Sequence, residues 1–203
     1  MTGVATLAGA SALSLSFATL FAGRIDTALR VCILQALAVA LAAGALGWVR
    51  HAPLLYFVAL LAFVLNGLVL PLALRRIIGH AVLPPSAGVR CGFLGSSAMA
   101  FALVAASVAA VVPLTGGEDL EMLALGLAVI QLGLLLLAVR SHDLLPGLAL
   151  LSSQNGLVLT ACGIPGLPPS ILLLAALPLV PALVVTSAWL HYRNTLDPAQ
   201  PWG

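Results

Sequence analysis

Charged residues in this chain are confined to short punctuation between long apolar runs, and that spacing constrains the fold more than any motif. The runs are residues 4–22, 27–49, 54–74, 93–114, 122–139, 144–162 and 170–190. Each is roughly 18–23 residues, enough for a helix to cross a hydrocarbon core of about 30 Å. Closed β-barrels also satisfy the backbone in lipid, but they alternate apolar and polar residues. Leu132-Gly133-Leu134-Leu135-Leu136-Leu137-Ala138 shows no such alternation. The sequence therefore predicts an all-α polytopic membrane protein with seven transmembrane helices in a single domain, residues 1–203, ending in a short cytoplasmic tail, 191–203.

Composition supports the same reading. Charged residues make up 7% of the chain, where a soluble domain carries about 25%. Too little polar surface is left to cover a water-soluble globule, which argues against a soluble enzyme and a disordered chain. Eight basic residues, all arginine and dispersed, do not make a phosphate-tracking groove, so no nucleic-acid partner is expected. The first run lacks the basic start of a secretory signal, because Met1 to Gly23 contains no Arg or Lys. It reads as a retained span.

The arginines also set an orientation. Arg24, Arg30, Arg75, Arg76, Arg90, Arg140 and Arg193 fall on one side, and Arg50 stands opposite with Glu118, Asp119 and Glu121. By the positive-inside rule the N-terminus lies outside and the C-terminus inside a bacterial-type inner membrane. Trp48, Tyr56, Trp189 and Tyr192 fall where interface aromatics belong.

Cys32, Cys91 and Cys162 give neither a disulfide framework nor metal-ligand spacing. His51, His80, His142 and His191 lie in loops or at span ends, which disfavours a haem pair inside the bundle. No phosphate-binding loop, dinucleotide fingerprint, zinc-protease motif or nucleophile elbow occurs. No catalytic, cofactor or metal residues are assigned; a catalytic centre, if the protein serves one, sits on another subunit.

With Arg30 counted in the loop before span 2, no charge lies inside any span, and the informative residues are neutral amides: Gln35, Asn66, Gln131, Gln154 and Asn155. An amide buried in hydrocarbon needs a partner. Gln35, Asn66 and Gln154 lie at a similar depth from the inner ends of their spans, the level where transporters place a polar path. The plainer role is interhelical contact, worth about 0.6 kcal/mol per bond. Pro71 removes the bond that the Gly67 carbonyl would accept, and Pro178 and Pro181 do the same to Leu174 and Leu177. Those carbonyls need water or a side chain. Small-residue stripes, Ala36/Ala40/Gly44 and Ala102/Ala106/Ala110, are expected to let helices approach closely.

Two segments echo each other: Phe21-Ala22-Gly23-Arg24-Ile25-Asp26 before the span with Gln35, and Ala138-Val139-Arg140-Ser141-His142-Asp143 before the span with Gln154. They put Arg24, Asp26, Arg140 and Asp143 in matching cytoplasmic loops. Spans 1–3 and 5–7 then run in the same direction, as two parallel three-helix repeats joined by span 4.

Arg140-Ser141-His142-Asp143-Leu144-Leu145, followed by Ser153-Gln154-Asn155-Gly156-Leu157-Val158-Leu159, resembles the membrane component E family of formate-hydrogenlyase-type (hydrogenase-4) hydrogenases. Asn66-Gly67-Leu68-Val69-Leu70-Pro71-Leu72 resembles that family's third span. The family is related to the K-type subunit of respiratory complex I and to small subunits of cation/proton antiporters. The resemblance implies a membrane-arm subunit packed between antiporter-like subunits and a peripheral redox arm, with redox chemistry elsewhere coupled to ion movement. Gln35 keeps the family's amide. Gln154 stands where the family carries glutamate, and Asn66 where it carries lysine, so neither site can take and release a proton. The competing expectation is a stand-alone transporter for a small solute or ion.

Overall fold

The structure, a computed structural model, describes residues 2–22, 24–79, 92–111, 113, 121–139 and 145–178. Among these the regular elements are all helical: α1 (Thr2–Phe21), α2 (Ile25–Val49), α3 (Pro53–Ala62), a π-helical turn (Phe63–Val69), α4 (Leu70–Gly79), α5 (Gly92–Val111), α6 (Glu121–Val139), α7 (Leu145–Gly163) and α8 (Pro169–Ala176). Five stretches are long and apolar enough to cross a membrane: Gly3–Phe21, Asp26–Val49, Pro53–Arg76, Leu94–Val111 and Glu121–Val139. They correspond to spans 1–5. The sixth expected span forms α7, equally long but more polar because of Ser152, Ser153, Gln154, Asn155 and Thr160. The seventh, expected over 170–190, is seen only in α8; its residues beyond 178, including Pro181, Trp189 and Tyr192, lie outside the described residues, as do Cys91, Arg140 and Asp143.

Helix boundaries follow local chemistry. Helix α2 starts before the expected residue 27, which draws Asp26 into the helix, where it suits the positive N-terminal end; Arg30, counted above in the loop, lies within the same helix and is exposed. Its C-terminus closes with the Ala52 amide on the Gly47 carbonyl (3.0 Å) and the His51 amide on the Trp48 carbonyl (3.4 Å). This double closure needs a left-handed residue, and His51 supplies it at φ 50°. Pro53 then opens α3, where its missing N–H costs nothing.

The third span stays continuous through Pro71 by widening. In the π turn before it, the Leu70 amide donates to the Leu65 carbonyl, five residues back. Pro71 cannot make the α-type bond to Gly67, and the wider register carries the backbone through the defect. Helix α8 instead ends ahead of Pro178: Leu177 is extended (φ −81°, ψ 118°). A residue before proline is driven out of the helical region.

Packing centres on α7. Within 146–163, Leu157 is the single exposed residue. Helix α6 lies against α7 so closely that a Cβ on Gly133 would sit 2.7 Å from the Ser153 nitrogen and 2.8 Å from the Ala149 carbonyl oxygen. A Cβ on Gly156 would sit 2.6 Å from the Ile130 nitrogen, and one on Gly163 2.8 Å from the Leu123 nitrogen. Gly126 meets Thr160 in the same way. These glycines, not the anticipated alanine stripes, make the tight interface. Ala36 is buried, Ala40 half-buried, and Gly44 faces open space. Ala102, Ala106 and Ala110 are all exposed on α5, because that helix turns other residues, Ser96, Ala100 and Ser107, inward.

Helix α1 packs on α2 and runs beside α6, where Thr6 Oγ1 donates to Glu121 Oε2 (3.1 Å) and Gly9 faces Met122 and Leu125. Helix α2 runs in the same direction as α7, since Gln35 meets Ser152 and Arg50 meets the far end at Cys162. Helix α5 leans on α6 and α1; Phe17 and Phe101 approach with ring centroids 5.3 Å apart. Trp48 and Tyr56 are exposed near the α2–α3 turn.

Candidate functional site

The amides divide by which face of α7 they meet. Gln35, fully buried on α2, donates from Nε2 to Ser16 Oγ on α1 (2.8 Å) and to Ser152 Oγ on α7 (3.0 Å). Ser16 in turn bonds the Ala12 carbonyl (3.0 Å). Asn66, carried on the π turn, donates from Nδ2 to Asn155 Oδ1 (3.2 Å). Ser152 and Asn155 are one turn apart on α7, so these contacts form one cluster across α1, α2, the π turn and α7. Gln35, Asn66 and Asn155 are each no more than 1% exposed.

Gln154 does not join them. A helix turns about 100° per residue, so residue 154 looks away from the face shared by 152 and 155. Its Nε2 donates instead to the Ala175 and Leu177 carbonyls, at the end of α8. A shared depth does not make one contact: Gln35 and Asn66 meet Ser152 and Asn155 of α7, while Gln154 faces α8. Gln154 does answer the need anticipated at Leu177, whose carbonyl takes a side-chain donor. Gln131 makes a separate contact, its Oε1 facing the Ser107 hydroxyl at 3.0 Å between α5 and α6.

Three polar atoms of the cluster have no partner although buried: Gln35 Oε1, Asn66 Oδ1 and Asn155 Nδ2. Ser96 Oγ on α5 is a further one, remote in sequence from the cluster. Among the described residues no group of three or more His, Cys, Asp or Glu could hold a metal. Cys32 and Cys162 are buried free thiols. The cluster can therefore exchange hydrogen bonds, but no member of it changes charge near neutral pH.

Arg50 closes the C-terminus of α7. Its guanidinium donates to the carbonyls of Cys162 (2.7 Å) and Gly163 (3.3 Å), a cation at the negative end of a helix. Arg24 and Asp26 are exposed at the start of α2 and belong to no site. Sequence reading missed Ser16, Ser152 and the capping role of Arg50. Ser152 was findable, since it precedes Asn155 by three residues and so shares its face.

No family model matches the chain, and neither does any curated protein or solved structure. What stands is the class: among the described residues the regular elements are all helical, and five helical stretches have the length and apolar composition of membrane spans.

Proposed function

We propose that this chain is a non-catalytic integral membrane subunit of a group 4 hydrogenase or a related complex-I-like, redox-driven ion-pumping complex. The observation that carries the reading concerns Gln154-Asn155-Gly156, the most specific part of the resemblance. Each of these three adjacent residues serves a different neighbour of α7: Gln154 holds α8, Asn155 meets the π turn, and Gly156 admits α6. A stretch that fixes three helices at once is where a packing subunit tolerates least change.

The same reading makes spans 1–3 and 5–7 parallel repeats with α5 as connector. It is supported by α1 lying beside α6 and α2 running with α7. Seven spans, an outer N-terminus and a bacterial-type inner membrane complete the proposal. Its partners are antiporter-like membrane subunits and a peripheral redox arm, and the electron chemistry belongs to them. The chain braces the membrane arm and does not carry the proton, because Gln154 and Asn66 have no proton to give and retake.

A stand-alone transporter is the second reading, favoured by the break at Leu177–Pro178. Against it, two carbonyls at that break are occupied by Gln154. The two readings part on purification of the tagged full chain in mild detergent. The subunit reading expects antiporter-like membrane proteins and metal-containing soluble proteins in fixed ratio. A stable, partner-free protein that takes up solute in liposomes contradicts it.

A further inference from the structure

The unpaired atoms of the amide cluster are complementary in kind. Gln35 spends both N–H groups on serines and leaves Oε1; Asn66 leaves Oδ1; Asn155 leaves Nδ2. The remainder is two acceptors and one donor, all buried. A bare cation is opposed by the Asn155 amide hydrogens, and an anion by the two oxygens. A water molecule matches all three, donating twice and accepting once.

Spacing agrees. Ser152 and Asn155, which receive Gln35 and Asn66, are three residues apart on one helix face, about 5–6 Å between Cβ atoms. Buried waters typically make about three hydrogen bonds to groups otherwise left unsatisfied, the number on offer here. The surroundings limit the occupant to something small: beside the cluster, a Cβ on Gly67 would already be 3.4 Å from Ala36 Cβ. The nearest charge on α2 is Arg30, five residues before Gln35, about 7.5 Å along the axis at about 1.5 Å per residue and exposed where Gln35 is buried; Asp26, the acid on α2, is nine residues before, about 13 Å away.

We propose that Gln35 Oε1, Asn66 Oδ1 and Asn155 Nδ2 bind one structural water, a closed hydration site rather than a stretch of a water path. Gln154, which would have extended it, faces α8. The site follows from the cluster's hydrogen bonding and holds whether or not the chain serves a hydrogenase-type complex.

The test is nuclear magnetic resonance on the full chain, with 15N at asparagine side-chain amides, in nanodiscs of perdeuterated lipid. Only three asparagines occur, Asn66, Asn155 and Asn194, so the signals are few. The Asn155 NH2 protons should show cross-relaxation with water, of the sign given by a molecule bound longer than the particle tumbles. Gln35→Met should abolish that cross-peak while the Asn155 resonance itself remains. A wild-type Asn155 amide without the cross-peak overturns the proposal, as would reciprocal Asn66–Asn155 pairing. A cross-peak that survives Gln35→Met unchanged also overturns it. Should that variant not fold, the wild-type spectrum alone decides.

Discussion

Helix α7 presents two faces that handle polarity in opposite ways. Toward α6 it is closed: Gly156 meets Ile130 and the Gly126 carbonyl, Gly163 meets Leu123, and Gly126 and Gly133 of α6 meet Thr160 and Ser153, all at backbone distance, while Ser153 Oγ bonds the Ile130 carbonyl (3.3 Å) and Thr160 Oγ1 bonds the Gly156 carbonyl (2.9 Å). Toward α2 and the π turn it is open in hydrogen-bonding terms, with three buried atoms left over. In lipid, apolar side chains gain little by leaving their solvent, so close backbone approach supplies association on the first face. The second face holds less dispersion energy and more directional bonding. Stability and polar recognition are thus separated on one helix.

The contrast can be broken first at its strong side. Gly133→Leu drives a side chain into the Ser153 backbone and should cost about 3 kcal/mol or more, read as unfolding free energy in bicelles; a cost below about 1 kcal/mol would show that the α6–α7 contact is loose. Next comes Gln154→Leu, which strands the Ala175 and Leu177 carbonyls and should cost about 2 kcal/mol. Gln154→Glu should rescue only part of that, because a buried carboxyl kept neutral by its surroundings has one O–H to donate where the amide has two N–H groups. On the amide face, Asn155→Leu should cost about 1 kcal/mol, since single interhelical bonds in membranes average about 0.6 kcal/mol. If it costs more than Gly133→Leu, the division of labour on α7 is wrong. Smallest is Gly44→Ala, which meets nothing within 4 Å and should stabilise by about 0.5 kcal/mol through reduced chain entropy.

Spans 1–5 were legible because apolar length and charge punctuation are local properties, and the helices fall within a few residues of expectation. The amides were legible as residues needing partners, but their partners were not. Depth along a span places Gln35, Asn66 and Gln154 together; azimuth around α7 separates Gln154 from the other two. Azimuth depends on which face of α7 is turned to which neighbour, and no single span encodes that. The glycine interface escaped for a related reason. Gly126 and Gly133, like Gly156 and Gly163, are seven residues apart, and on one helix alone that spacing looks incidental. It gains meaning only when the two helices are laid side by side. The alanine stripe of α5 misled because small residues permit close packing without requiring it.

The proposed role, a packing subunit that carries no proton, makes a sharp demand on the whole complex. Membrane vesicles containing the assembled complex, with the chain supplied as wild type or as Asn66→Leu/Asn155→Leu, should be compared for redox-driven ion gradients at equal complex content. Expected is a gradient within about twofold of wild type once assembly is matched, because the cluster has no group that titrates near neutral pH. A gradient abolished in a fully assembled variant complex would contradict it and make the buried amides part of the ion path.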